Sequence, residues 1–556
     1  MSKIIHKLIS SMEKCFGDCP VDSFSEFSAA RAVRGERFSF QWVFRSADPI
    51  DAKEVYFFRA ESALGDAVTA QRVELVPVRM PYYALRHDDN YLRGEPGLYP
   101  DLLMPVSAQT QIFITSRETH SLWIDVDVSA VAPVGTCPIR LALTNEKGEE
   151  KLSAVFTLTV VGAQLPKQTL QHTEWFHADC LADYYRVPVW SEEHWRIVEN
   201  FVRAAVRGGV NMLLTPIFTP ALDTAVGGER TTCQLVGITC DEGAWSFDFS
   251  LLGRWIAMAE RQGIEYFEMA HLYTQWGAGH APKIMATVDG EYKKVFGWET
   301  DSLSDEYRTF LQTFLPELTQ YLRGLGIADR CVFHISDEPH VEHLERYGAA
   351  RAQVAEYLRG FVIMDALSNY DFYRAGVVER PIPSTMRIEP FLEGNVPNLW
   401  TYYCCTQNVK LSNRFVAMPG ARTRILGVQL YKYRIAGFLQ WGFNFYNSQY
   451  SITHIDPYRV TDGEYFAPAG DAFQVYPAPD GTAYETQHYQ LFVEGLRDLR
   501  LMQLAEQCCG REAVMEAIEG NLAEPITFTE YPRDAEYLTA LHETLCEMIE
   551  RTAADL

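Results

Sequence analysis

The stretch Arg330-Cys-Val-Phe-His-Ile-Ser-Asp-Glu-Pro-His340 decides how the chain is read. Its apolar start suits a buried strand, and its two adjacent carboxylates are stopped by a proline. Side chains alternate faces along a strand, so Asp337 and Glu338 share a pocket only where the strand has ended or bulged. Two acids crowded at a strand tip are candidates for proton-transfer chemistry.

The chain around this stretch repeats a simple unit. After a change of composition at Gln164-Leu-Pro-Lys167, apolar strand-like runs alternate with amphipathic helices. Strands are expected over residues 173–176, 211–215, 266–272, 331–336, 361–365, 399–403, 425–428 and 437–443. Helices are expected over 191–207, 249–262, 304–325 and 341–358, the first capped by Ser191 with Glu193 and His194 in its opening turn. Eight such repeats are the count of a (β/α)8 TIM-type barrel, whose active site gathers at the carboxyl ends of the strands. Asp337 and Glu338 fall at such an end, and so do Trp175, His177 and Asp179, then Thr215, then His271, Gln275 and Trp276. Asp365, Tyr402, Tyr403, Trp441 and Asn444 complete the ring of tips. Aromatic and polar groups at successive tips suit a sugar pocket, although each aromatic has barrel filling as its plainer reading.

Ahead of the barrel, residues 38–44, 54–58, 73–78, 111–115, 122–128, 139–143 and 152–161 read as strands with Gly and Pro between them. The alternation in Leu122-Trp-Ile-Asp-Val-Asp-Val128 points to an antiparallel β-sandwich, which carries no catalytic cluster. Past the last barrel strand, Phe473-Gln-Val-Tyr-Pro-Ala-Pro-Asp-Gly481 reads as a strand closing into a turn, with helices at 485–507 and 533–553 behind it. The expected domains are a sandwich at 1–165, a catalytic barrel at 166–510 and a helical tail at 511–556 packed on the barrel. A chain of 556 residues already calls for more than one core.

Composition narrows the chemistry. A formal net charge of −24 without any basic run argues against a polyanionic partner, because phosphate binding needs clustered Lys and Arg. A neutral or small substrate fits better, and with the sugar-facing groups at the strand tips the expected partner is a glycoside or oligosaccharide, with no nucleic acid and no membrane; no oligomeric state is implied. Twelve cysteines lack the paired spacing of a zinc site, and Cys404-Cys405 and Cys508-Cys509 are awkward for ordinary disulfides, so reduced thiols are expected. Charges interrupt the apolar part of residues 1–12, which reads neither as an export signal nor as a membrane span, and a cytoplasmic location is expected. His177-Ala-Asp179 with His271 matches no ligand spacing, so neither a metal nor another cofactor is expected.

Three motifs carry a resemblance: Ile335-Ser-Asp-Glu-Pro339, Gly437-Phe-Leu-Gln-Trp-Gly-Phe-Asn444 and Val475-Tyr-Pro-Ala-Pro-Asp-Gly481. The front half adds Leu98-Tyr-Pro-Asp-Leu-Leu103 before Pro105, and Ala132-Pro-Val-Gly-Thr136 after the Trp123 strand. In this order they resemble glycoside hydrolase family 123, whose best-known activity is β-N-acetylgalactosaminidase. The helix after the Tyr-Pro turn departs from the family pattern, with Thr486-Gln-His488 and Val493-Glu-Gly495 where relatives carry Ser-x-Arg and Arg-Asp-Gly.

The resemblance implies a retaining exo-β-N-acetylhexosaminidase that works by substrate-assisted catalysis. The substrate's own 2-acetamido oxygen attacks the anomeric carbon to give an oxazolinium ion. Asp337 holds the acetamido nitrogen, while Glu338 protonates the leaving oxygen and then activates water. Adjacent acids suit this scheme better than the ordinary retaining one, in which two carboxylates about 5 Å apart flank the sugar ring. An ionised Asp337 is expected to help Glu338 keep the proton it must donate. Trp441 is expected as a floor under the ring, with Tyr402 or Tyr403 on the acetamido oxygen and His271, Trp276 or Asn444 on hydroxyls. Two other readings stand beside this one. In the first, a conventional retaining β-glycosidase uses Asp365 or Asp179 as its second carboxylate on a sugar without an acetamido group. In the second, the chain is a catalytically silent carbohydrate-binding protein.

Overall fold

The computed structural model describes residues 3–48 and 55–554. Two five-stranded sheets form the N-terminal part. The first runs Ile4–Ser10, Arg37–Ser46, His120–Asp127, Val68–Val78 and Gly97–Val106 in spatial order, antiparallel throughout. The second runs Ala29–Arg34, Glu150–Gln164, Gly135–Thr144, Val55–Ser62 and Ile112–Phe113. Its first pair is parallel, so a sandwich expected to be antiparallel has one parallel edge. Alternate residues such as Phe40, Trp42, Ile124, Phe156 and Leu158 fill the space between the sheets. Ile4–Ser10, Ala29–Arg34 and Gly97–Val106 are strands beyond those expected, and the strand expected from Glu54 is seen from Val55, Glu54 lying outside the described residues.

The second part is a nearly closed barrel of parallel strands, numbered β1 to β8. They are Gln171–Glu174, Met212–Thr215, Tyr266–Met269, Cys331–Phe333, Val362–Ala366, Arg380–Ile382, Trp400–Tyr402 and Gly437–Gln440. Strands adjacent in sequence pair in parallel, and β8 returns to β1 with Gly437 opposite Gln171. Only β6 and β7 lack a ladder; a single bridge joins them, the Tyr402 N–H donating to the Pro383 carbonyl at 3.2 Å.

One expected strand is wrong. Residues 425–428 lie in the helical pair Gly420–Arg424 and Leu426–Lys432, and the strand that completes the eight is Arg380–Ile382. Residues 420–431 are buried throughout, which erases the polar face that would have shown a helical period. Gly427 lies against the Gly495 carbonyl of helix Gln487–Cys509 so closely that a Cβ there would stand 1.8 Å from it, and helices Leu426–Lys432 and Gln487–Cys509 meet backbone to backbone.

Elsewhere local chemistry sets the elements as read. Ser191 caps Glu192–Arg207 by accepting from the His194 N–H, and Ser304 caps Asp305–Gly324 by accepting from Tyr307. The helix expected over 341–358 is shorter, Leu344–Val354 behind a 3-10 turn. Helix Ala535–Ala554 packs on Gln487–Cys509 and also on strands Ala29–Arg34 and Glu150–Gln164. Asp101, from the Leu98–Leu103 motif of the sandwich, binds His488 Nδ1 at 2.7 Å at the start of the last barrel helix. Among the described residues no helix is long and apolar enough to cross a membrane.

Candidate active site

Strand β4 stops at Phe333, and the chain from His334 to Pro339 leaves the sheet. Ser336 Oγ donates to the Thr274 carbonyl at 2.8 Å and accepts the Ala278 N–H at 3.1 Å, which fixes the exit. Glu338 then takes a left-handed backbone, φ 42°, a conformation that non-glycine residues adopt at a cost. Its N–H donates to the Ala366 carbonyl at 2.9 Å, and the Asp337 carbonyl accepts from the Trp276 N–H at 2.7 Å. The break in alternation lets both acids line one cavity.

That cavity has a volume of about 180 Å³. Trp175, His177, Tyr402, Leu439 and Trp441 share its wall with the two acids. The Tyr402 hydroxyl donates to Glu338 Oε1. Trp175 Nε1 donates to Glu268 at 2.8 Å and Trp441 Nε1 to Asp471 at 2.9 Å, so each indole is held by a carboxylate behind it. The glycines of the β8 motif allow close packing around it: a Cβ on Gly437 would stand 2.0 Å from the Trp400 ring, and one on Gly442 2.4 Å from the Ala472 carbonyl.

Three residues expected in the pocket lie elsewhere. His271 is buried against Trp175 with its ring stacked on His334, centroids 4.4 Å apart. Tyr403 follows Tyr402 and turns to the other face, where its ring meets Phe438 at 4.9 Å. The Asn444 amide accepts the His177 N–H at 2.9 Å and donates to the His177 carbonyl at 3.0 Å, which holds β1 and β8 tips together. Gln275 and Trp276 do reach the cavity.

A sealed tier of charge lies under the cavity. His334 is bonded through Nε2 to Glu268 at 2.6 Å and through Nδ1 to Asp365 at 3.1 Å. Burial opposes its charge, but the bonds to Asp365 and Glu268 outweigh that and raise its pKa to about 10. Asp365 also accepts from the Ile335 N–H at 3.0 Å and from the Tyr347 hydroxyl. Arg414 pairs with Glu174 at 3.0 Å, and Arg230 grips Asp179 at 2.8 Å while touching His177 Nδ1 at 3.0 Å. Burial and the Arg230 charge together push His177 down to about 3, so it stays neutral. Among the described residues, His271, His334 and Asp365 alone have metal-ligand spacing, and both nitrogens of His334 are already taken by carboxylates.

The acids in the wall are less well matched. Burial, then the neighbouring Glu338, pushes Asp337 well above the usual carboxylate range, with His334 pulling the other way. The expected crowding therefore raises Asp337, the residue read from sequence as the ionised partner. Two further acids were missed. Asp223 lines the cavity, accepts the Tyr450 N–H at 3.0 Å and is pushed up to about 6 by burial. Asp471, behind Trp441, is pushed up to about 7 by burial. Neither stands at a strand tip or inside a quoted motif, so the sequence offered no signal for them.

Paired acids beside two indoles at the carboxyl end of a parallel barrel are the equipment for breaking a glycosidic bond, and the chain is a glycoside hydrolase. The model of the glycoside hydrolase 123 catalytic domain matches residues 175–505, and the chain belongs to that family. No curated protein matches it. Among solved structures it is similar to a family 123 glycoside hydrolase from Clostridium perfringens described for glycolipid glycan hydrolysis, at 14% identity and a TM-score of 0.71, covering 99% of this chain and 98% of that one. A glycosyl hydrolase family 2 member from Bacteroides cellulosilyticus matches at 8% identity and a TM-score of 0.27, over 82% of this chain and 48% of that one. An endo-β-1,4-mannanase from Thermotoga petrophila matches at 10% identity and a TM-score of 0.33, over 61% and 78%.

Proposed function

We propose that the protein is a retaining exo-β-N-acetylhexosaminidase of the β-N-acetylgalactosaminidase kind, using substrate-assisted catalysis in a (β/α)8 TIM-type barrel over residues 166–510. The sandwich at 1–165 and the tail at 511–556 are its supporting domains. One observation carries the reading: Asp337 and Glu338 face one cavity side by side, while Asp365 and Asp179, the nucleophiles of a conventional scheme, are buried in ion pairs outside it. All twelve cysteines are unpaired, which supports a reducing, cytoplasmic setting.

In this mechanism the acetamido N–H of the bound sugar donates to Asp337. That bond favours the carboxylate and offsets the upward push from burial and Glu338. Glu338 gives its proton to the glycosidic oxygen as the acetamido oxygen attacks the anomeric carbon, and the carbon–oxygen bond breaks. The Glu338 carboxylate next takes a proton from water, the water oxygen opens the oxazolinium ring, and the original configuration returns. Tyr402, bonded to Glu338 Oε1, holds that carboxyl still for both transfers. Trp441 and Trp175 supply the apolar wall for the ring.

The test is an aryl 2-acetamido-2-deoxy-β-galactoside set against its 2-hydroxy counterpart. Turnover of the first alone, with inhibition by a thiazoline analogue, is expected. Asp223 favours a second reading, since it places another carboxylate in the cavity wall for a conventional glycosidase. Preference for the 2-hydroxy sugar, lost in Asp223→Asn and kept in Asp337→Asn, would select that reading. Binding without turnover of either glycoside would leave a silent carbohydrate-binding protein.

A further inference from the structure

The wall of the active cavity carries a pair of neighbouring thiols. Strand β7 ends at Tyr402, and past Tyr403 the chain enters a turn in which Cys404 and Cys405 both line the cavity that holds Glu338. Along a strand two consecutive side chains point to opposite faces, so it is the turn that brings both to one side. Buried amides hold that turn from behind. The Cys404 carbonyl accepts the Gln407 N–H at 3.2 Å and Asn413 Nδ2 at 2.9 Å, and the Cys404 N–H donates to Gln407 Oε1 at 2.8 Å. The Cys405 carbonyl accepts from Asn408 Nδ2 at 3.2 Å.

The two thiols also touch one another. Contact with the Cys405 thiol, then burial, raises Cys404 well above the ordinary cysteine range, and the nearby Glu338 adds to the rise. Cys404 Sγ lies 3.3 Å from Thr406 Oγ1, and Thr406 is exposed, so small molecules in solvent reach the pair. Both cysteines are unpaired. The other adjacent pair of the chain makes a contrast. Cys508 and Cys509 end the helix Gln487–Cys509, where consecutive side chains diverge by about 100°. Cys509 Sγ is turned to the Met548 carbonyl at 3.7 Å and to Thr552 Oγ1 at 3.3 Å.

We infer that Cys404 and Cys405 form a redox-modification site, a vicinal dithiol that a low-molecular-weight disulfide such as oxidised glutathione closes into an eight-membered disulfide ring. The site is independent of which sugar the cavity takes. In the first step the Cys405 thiolate attacks one sulfur of the oxidant, whose S–S bond breaks to release one thiol. In the second, Cys404 gives up its proton and attacks Cys405 Sγ, the intramolecular S–S bond forms and the second thiol leaves. The protein loses two electrons and two protons, and the oxidant gains them. Cys404 reacts second because its proton is held back by its neighbour and by burial. A disulfide joins Cβ atoms about 3.8 Å apart, which adjacent residues reach only with a distorted backbone, so the ring is strained and easily reduced again. That distortion falls two residues from Tyr402, whose hydroxyl bonds Glu338.

The experiment incubates the full chain with oxidised glutathione, blocks the remaining thiols with iodoacetamide and weighs the peptide that holds both residues. Loss of two hydrogens from that peptide, reversed by dithiothreitol, is expected, and the peptide with Cys508 and Cys509 does not lose them. In Cys404→Ser the peptide instead keeps a glutathione on Cys405. On any glycoside that the protein hydrolyses, closure is expected to lower the rate about tenfold, as a displaced catalytic group does, and dithiothreitol restores it. The double variant Cys404→Ser/Cys405→Ser loses this response to the oxidant. A wild-type peptide that ends the incubation with both thiols free, or with glutathione attached, overturns the site. A closed ring without a fall in rate, or an equal fall in the double variant, overturns its link to catalysis.

Discussion

Two sets of acids lie one above the other at the carboxyl end of the barrel, and they differ in what completes their hydrogen bonds. In the lower set Glu268 and Asp365 flank His334, Glu174 meets Arg414, and Asp179 meets Arg230. In the upper set Asp337 lies beside Glu338, and among the described residues a tyrosine hydroxyl is the only side-chain hydrogen-bond partner at Glu338. Charges matched in the interior give a rigid base, since buried carboxylates with good partners hold one arrangement. Charges left unmatched at a cavity are free to exchange protons with a ligand. The lower set ties together the tips of β1, β3, β4 and β5, and in the proposed mechanism the upper set works on that base.

Breaking the upper set should change rate and leave the fold. Glu338→Gln keeps the shape and the Tyr402 contact but has no proton to give, and kcat on an acetamido glycoside with a poor leaving group is expected to fall about 10²–10⁴-fold. Circular dichroism and urea midpoint should match wild type. A large shift in the midpoint would place Glu338 with the structural acids. Breaking the lower set should do the reverse. His334→Leu leaves Glu268 and Asp365 facing each other without a cation, and a loss of about 3–5 kcal/mol of stability is expected. If chemical denaturation shows no loss, the tier beneath the cavity is not the rigid base described above.

The distinction between the two sets was only half legible in the sequence. Asp337 and Glu338 stood out because an apolar run ends in Asp-Glu-Pro, a local signal that survives folding. The eight-strand count was also legible, yet one member was misplaced: Arg380–Ile382 is three residues long with a proline in its middle and has no apolar run to find. At the strand tips, residue type alone did not show direction. Tyr402 and Tyr403 are identical in chemistry and adjacent, but alternation sends one to Glu338 and the other to Phe438. His271 and Asn444 looked like sugar ligands for the same reason, and their surroundings are set by β4 and β1, more than 60 residues away in sequence. Asp223 and Asp471 come from loops, where no periodicity exists to mark them.

The contact between the tiers and the ligand can be sharpened at Tyr402. Tyr402→Phe removes one hydrogen bond to the carboxyl group that in the proposed mechanism both gives and takes a proton. A bond of that kind is worth about 1.5–3 kcal/mol, so kcat/KM should fall roughly ten- to a hundredfold with the pH optimum displaced. An unchanged pH profile would mean the hydroxyl only packs there.

An effect on stability that depends on pH is expected at Asp471, which joins the tiers because it lies under Trp441 without a matched cation. Burial raises it to about 7, against the Trp441 N–H bond and the Arg414 charge, from the ordinary aspartate value near ~3.9. Between those two pH values the folded protein keeps a proton that the unfolded chain has released. Its contribution to stability is therefore full below about pH 4 and is lost as pH rises through 7, at up to ~1.4 kcal/mol per pH unit inside the window. Asp471→Asn still accepts from Trp441 Nε1 but has nothing to titrate. Urea unfolding of both proteins from pH 4 to 8 should show the variant gaining on wild type across that window and holding a constant lead above it. The comparison must be of differences, since Glu174, held low by Arg414 against the cost of burial, gives a slope of the opposite sign in both proteins. A difference that does not change with pH would mean that Asp471 keeps its charge under Trp441 and belongs with the matched acids below.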